Sequence, residues 1–215
     1  MHLIVIAKAP IPGRVKTRLC PPCSPEDSAS IAEASLADTL EAVRGVAGVR
    51  PVVALDGPAG EWLPPGIRVI PQRGRGLAAR IAAAFDDVGG PSLLIGMDTP
   101  HVDVPRLAGA CGRLAESGVD AVLGPALDGG WWALGLRRPD AGVFDGVPMS
   151  SDRTLAVQRA RLRTMGMRVA DLAPMRDVDT PTDALTVAAS VPGSRFAIAV
   201  AASPIATGST VGPIA

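Results

Sequence analysis

The sequence predicts an α/β fold: a three-layer αβα sandwich with a mainly parallel, Rossmann-like sheet and one antiparallel excursion. Three observations carry that expectation. Short runs rich in Val, Ile and Leu alternate with segments of helical spacing through residues 2–172, the pattern of strands joined by right-handed crossovers and covered on both faces. The runs at 119–124 and 131–136 have no helix between them, and so short a link cannot make a parallel crossover. Acids and glycines follow several of the runs, where parallel sheets carry their functional groups.

The run 2–7 opens the sheet, and Pro10, Pro12 and Gly13 bar a helix directly after it. A periodic segment at 25–44 follows, with Pro25 suited to a first helical turn. Strands are expected at 51–56 and 67–71, then a helix at 77–88. The run 92–97 leads into an aspartate, and Pro100 prevents a helix from starting before 104–117. The paired strands come next, then a helix at 151–165, a strand at 168–172 and a short helix after Pro181. Residues 1–190 form one domain on this reading. Residues 191–215, dominated by Ala, Ser, Gly, Pro and Thr, read as a flexible tail, and the apolar 196–202 is much shorter than the ~20 residues of a membrane span.

At 215 residues the chain is long enough to bury a core without disulfide or metal staples. Lys plus Arg and Asp plus Glu are each 21, so net charge gives no reason to expect nucleic acid or an anionic membrane as a partner. Three cysteines make no disulfide framework, and the first apolar run is too short for a signal segment, which together point to the cytoplasm. Cys20-Pro-Pro-Cys23 has redox or zinc spacing, but no second Cys or His pair accompanies it and two prolines in a loop account for it.

Lys8, Arg14, Lys16 and Arg18 fall within eleven residues after the first strand. Such cations, on a loop shaped by Gly13 and its neighbouring prolines, suit a nucleotide di- or triphosphate. The P-loop spacing is absent. Asp98, after Gly96-Met97, either starts a turn before Pro100 or offers a hard oxygen ligand for magnesium, which usually takes one or two carboxylates and completes its shell with phosphate and water. Asp179, in Asp177-Val-Asp-Thr-Pro-Thr-Asp-Ala-Leu185, comes from a separate strand end and is the expected second ligand of Mg²⁺ or Mn²⁺. Thr180 or Thr182 accounts for a helix cap there, but capping requires neither Asp177 nor Asp179. In Gly124-Pro-Ala-Leu-Asp-Gly-Gly-Trp-Trp-Ala-Leu-Gly135, Gly129 and Gly130 permit close approach of backbone to a ligand. Asp128 there holds either an acceptor hydroxyl or a tight turn, and Trp131 either lines the acceptor side or packs. Arg80, in the glycine-punctuated entry Gln72-Arg-Gly-Arg-Gly-Leu-Ala-Ala-Arg80, joins the substrate contacts. His101 is expected on the rim.

Taken in order, the phosphate-grip loop, the GMDTP strand end, GPALDGGWWALGL and DVDTPTDAL resemble a family of glycosyltransferase-like proteins, the radical-SAM or selenodomain-associated transferases, over residues 2–188. That family is similar in turn to nucleotidyltransferases that make cofactor precursors, including 2-phospho-lactate guanylyltransferase and molybdenum cofactor guanylyltransferase. The resemblance implies a GT-A nucleotide-diphospho-sugar transferase fold, a phosphate loop at Gly13, Arg14, Lys16 and Arg18, and a metal pair at Asp98 and Asp179. The chain departs from the pattern at Gly76, where an aspartate is expected, at Ala78, where glycine is usual, and in Pro148-Met-Ser-Ser-Asp-Arg-Thr-Leu155, which lacks the usual tryptophan.

The leading expectation is nucleotidyl transfer from a nucleoside triphosphate to a phosphorylated small molecule with release of pyrophosphate. Lys16, Asp98 and Asp128 are its catalytic candidates. Glycosyl transfer from a nucleotide sugar, with Asp128 as base, is the alternative; a nucleotide-binding protein without catalysis is the third. The partners are thus a nucleotide donor and a small-molecule acceptor, and the reading leaves room for a homodimer.

Overall fold

The computed structural model describes residues 1–207. Seven strands, β1 (His2–Lys8), β2 (Arg50–Asp56), β3 (Arg68–Pro71), β4 (Ser92–Gly96), β5 (Ala121–Pro125), β6 (Trp131–Leu136) and β7 (Val169–Asp171), form one sheet in the order β3-β2-β1-β4-β6-β5-β7. Every ladder is parallel except those of β6, which runs antiparallel to both β4 and β5. The helix-free link predicted between 124 and 131 is the hairpin that inserts β6 (Gly124 pairs with Ala133).

Side chains alternate across each strand, and helices cover both faces. Leu3, Val5 and Ala7 pack under α1 (Pro25–Arg44) and α3 (Val104–Ala115), meeting Leu36, Leu40, Leu107 and Leu114. Ile4 faces the other way, toward Ile81 and Phe85 of α2 (Leu77–Val88) and Leu162 of α4 (Thr154–Thr164). Ser24 and Asp27 form a capping box that starts α1 beside Pro25. The helix expected from 151 starts three residues later, because the Thr154 hydroxyl donates to the Pro148 carbonyl (2.7 Å) and accepts from the Ser151 amide (3.1 Å), holding that stretch in a turn.

The expected tail needs correction over most of its described length. After α5 (Pro181–Ser190), residues form α6 (Arg195–Ala201) and α7 (Pro204–Thr207). Phe196, Val200 and Ile205 are buried against Ile31, Val178 and Val187 in a third apolar cluster. Asp38 of α1 anchors the entry to α6 by accepting from the Phe196 amide at 2.8 Å. Low polarity without charge was misread as disorder, whereas Phe196 and Val200, one helical turn apart, make a buried stripe. Residues 208–215 of the expected tail lie outside the described residues. No helix among the described residues is long and apolar enough to cross a membrane.

Candidate active site

A cavity of about 870 Å³ opens at the carboxyl ends of β1 and β4, between which the strand order reverses direction. Its floor is built by three chain segments tied through backbone. The loop after β1 is fixed where the Ala9 amide donates to the Asp56 carbonyl (2.9 Å). The end of β4 is held by the buried Ser35 hydroxyl, which donates to the Met97 carbonyl (2.8 Å). After β7 the chain crosses the strand ends, bonding Met175 to Pro125 (3.0 Å) and then the Val178 amide to the Asp98 carbonyl (2.9 Å). The two acidic motifs recognised in the sequence are therefore direct neighbours.

Lys16 sits at their junction with its side chain only 5% exposed. Its ammonium pairs with Asp98 and donates to the Val178 carbonyl. Its backbone is left-handed (φ 47°), as is that of Ser150 (φ 55°); among the described residues these are the non-glycines with positive φ, and both line this cavity. Such conformations cost of order 1–3 kcal/mol and persist where surrounding structure enforces them.

Asp179 is drawn aside into an ion pair with the largely exposed Arg18 (2.8 Å). Asp177, which the sequence reading noted but left out of the ligand pair, lines the same cavity. Burial, then the charges of Asp98 and Asp128, push its carboxyl up to about 7; Lys16 opposes the shift and Asp179 adds to it. Asp177 Oδ1 is buried without a hydrogen-bond partner. An orphaned acceptor facing other carboxylates is an arrangement that a divalent cation would satisfy. Among the described residues no three Asp, Glu, His or Cys side chains form a ready-made ligand cage. The signal available in sequence was the Asp-x-Asp spacing, which puts 177 and 179 on one side of an extended segment and so does not separate them.

The remaining expected residues divide between two walls. Lys8 and Arg14 line the cavity beside Lys16 and Arg18, whereas Gly13 (φ 74°) shapes the loop without lining it. On the β2 and β3 side, Arg80 pairs with Asp56 (2.8 Å). Gln72, missed in the sequence, donates its amide to the Ala7 and Ala54 carbonyls (2.8 and 2.9 Å), so its Oε1 is fixed as an acceptor. Gly76 precedes α2 with φ 82° and ψ 164°, a region essentially restricted to glycine. The departure from aspartate at that position thus fits the backbone of this chain.

On the β6 side, Asp128 makes the tight turn, accepting from the Gly130 amide (2.8 Å) while staying exposed. Gly129 lies against the 148–152 loop so closely that an added Cβ would meet the Asp152 carbonyl at 2.1 Å. Trp131 and Trp132 face opposite sides of the sheet, as adjacent strand residues must. Trp132 is buried and donates to the Ala173 carbonyl (3.0 Å); Trp131 lines the cavity, and its buried indole N–H has no partner. His101 lies off the cavity wall, with burial and the nearby Arg106 lowering its imidazole pKa. Cys20 and Cys23 are free thiols near the start of α1, and Cys20 Sγ lies 3.0 Å from Ser28 Oγ.

Comparisons with known proteins agree with this architecture. The family model described as "Uncharacterized protein conserved in bacteria (DUF2064)" matches residues 39–151. The 2-phospho-L-lactate guanylyltransferase of Haloferax volcanii is 31% identical over 183 residues, spanning 83% of this chain and 82% of that protein. A crystal structure described as a nucleotide-diphospho-sugar transferase from Desulfovibrio desulfuricans G20 aligns with a TM-score of 0.79 at 26% identity, covering 91% of this chain and 90% of its own. A cytidylyltransferase from Leptospira borgpetersenii shares the fold at a TM-score of 0.57 and 14% identity, over 100% of this chain and 98% of that one. With a family model matching more than half its length and that identity to a named transferase, the chain belongs to the DUF2064 family and is a transferase of the nucleotide-diphospho-sugar transferase fold.

Proposed function

We propose that the protein transfers a nucleotidyl group from a nucleoside triphosphate to a phosphorylated small molecule, releasing pyrophosphate, with Mg²⁺ or Mn²⁺ held by Asp98 and Asp177. The observation that carries this reading is the convergence of Lys16, Asp98 and the unpartnered Asp177 carboxyl at the mouth of the switch point. The guanylyltransferase named among the relatives supports nucleotidyl transfer and makes GTP the first donor to test. Asp179, expected from sequence as the second ligand, lines the same cavity but is already paired with Arg18, which is why Asp177 is preferred in this proposal.

In this reading an oxygen of the acceptor phosphate attacks the donor's α-phosphorus while the bond to the β-phosphate oxygen breaks. A phosphate monoester is already anionic, so no side chain has to remove a proton. The bound cation would supply charge stabilisation on the transferring and leaving phosphate oxygens. Lys16 adds a fixed positive charge whose desolvation is already met by Asp98 and Val178, so little reorganisation is needed during reaction. Lys8, Arg14 and Arg18 accompany the leaving pyrophosphate. The nucleoside lies toward Gln72, Gly76 and Arg80, leaving the Trp131 wall to the acceptor. Asp128 acts as a turn-former with one oxygen facing that wall.

Glycosyl transfer is the second reading, favoured by the description of the Desulfovibrio neighbour. Thermal unfolding with a panel of triphosphates and nucleotide sugars, with Mg²⁺ and then EDTA, separates the two, because a ligand at a hundred times its dissociation constant stabilises by ~2.7 kcal/mol. The nucleotidyl reading expects an EDTA-sensitive shift with a triphosphate. A shift confined to nucleotide sugars would replace it with glycosyl transfer.

A further inference from the structure

Charge is distributed unevenly around the cavity. Its lysines and arginines all belong to the end of β1, the loop after it, or α2. The opposite wall, built from 128–132 and 149–154, contributes the carboxylates of Asp128 and Asp152 and no cation. That wall also carries the unpartnered Trp131 N–H, the Ser151 hydroxyl and the exposed Ser150, whose left-handed backbone holds it in the loop docked on Gly129. Met149 and the Trp131 ring add apolar surface.

We infer that this wall binds the carrier part of the acceptor, and that the carrier is uncharged and hydroxyl-bearing, as in a sugar or polyol phosphate, rather than carboxylated. The inference rests on the nucleotidyl-transfer reading above. A carboxylate placed against Asp128 and Asp152 would meet two like charges with no cation to offset them, which disfavours the wrong partner strongly. A carrier hydroxyl matches the wall in both directions: it donates to the carboxylates and accepts from the indole N–H, which otherwise stays buried and unpaired. The apolar ring surface of Trp131 suits the C–H face of a sugar. The acceptor phosphate itself lies away from this wall, toward Lys16 and the Asp98–Asp177 pair.

The test uses the full chain with Mg²⁺ and each of GTP, CTP, ATP and UTP. Glucose 1-phosphate, sn-glycerol 3-phosphate and 2-phospho-L-lactate serve as acceptors, with products read by mass spectrometry. In parallel the indole N–H resonances of ¹⁵N-labelled protein are followed as the same three phosphates are added, with W131F identifying the Trp131 signal. The expected result is turnover of a sugar or polyol phosphate at least about tenfold above 2-phospho-L-lactate, together with a shift of the Trp131 resonance. W131F should raise the acceptor KM about three- to tenfold and leave the donor KM unchanged. Equal or greater turnover of 2-phospho-L-lactate would overturn the inference while leaving nucleotidyl transfer standing. A Trp131 shift with the sugar or polyol phosphate alone, without product from any triphosphate, would uphold the wall's assignment and overturn the transfer reading. Absence of both product and shift would overturn both.

Discussion

Asp177 keeps its proton in the folded chain up to about pH 7, against an ordinary value of 3.8. Between those limits the native state holds a proton that the unfolded chain releases, so stability falls as pH rises through this window and levels off above it. Asp177→Asn should flatten that dependence and raise the stability of the metal-free protein at pH 8 by about 1–2 kcal/mol, read by thermal unfolding across pH. The same change should lower turnover on the order of a thousandfold if Asp177 holds the metal as proposed. Asp98→Asn should produce a similar loss of turnover, and near-normal activity in either variant would remove that residue from the metal pair. Arg18→Ala removes a largely exposed ion pair and should change stability by less than about 1 kcal/mol. Its donor affinity should fall severalfold in a titration with the triphosphate; unchanged affinity would exclude Arg18 from the phosphate grip.

Elements with a clean period were legible from the sequence. β1, α1, α2 and β6 start and stop within a residue of their expected bounds, because apolar spacing and the turn residues around them agree. The stretch 173–178 has no such period. It is extended through backbone bonds to Pro125 and Asp98, long-range contacts that local pattern does not encode. The choice between Asp177 and Asp179 as partner to Asp98 depends on that stretch. The 148–152 loop was equally opaque, since its position depends on contact with Gly129. Gly129→Ala should displace it: the backbone has φ 91° and the added methyl would strike the Asp152 carbonyl. A loss of about 2 kcal/mol in stability is expected, with acceptor KM raised more than donor KM in steady-state kinetics. An unchanged acceptor KM would separate this loop from acceptor binding.

Across the whole molecule, the mainly parallel sheet with its antiparallel excursion and the cluster of functional groups at one end were readable, because parallel strands place their carboxyl ends together. The last helices were not. Their composition lacks the charged face that marks an amphipathic helix, and Ile198 is 62% exposed while Phe196 is buried. Removing residues after Ser190 should therefore destabilise the domain, because Phe196, Val200 and Ile205 leave the third cluster. Each contributes about 1.5–3 kcal/mol when buried. Denaturant unfolding of the shortened chain checks this, and an unchanged midpoint would make α6 and α7 dispensable.

The most direct test of the account is pyrophosphate release from a nucleoside triphosphate in the presence of a sugar or polyol phosphate, with and without EDTA, for the native chain and Asp98→Asn. The account predicts pyrophosphate in equal amount to the nucleotide-linked product, abolished by EDTA and by the substitution. Pyrophosphate formation indifferent to both, or transfer only from a nucleotide sugar with release of its nucleoside diphosphate, would contradict it.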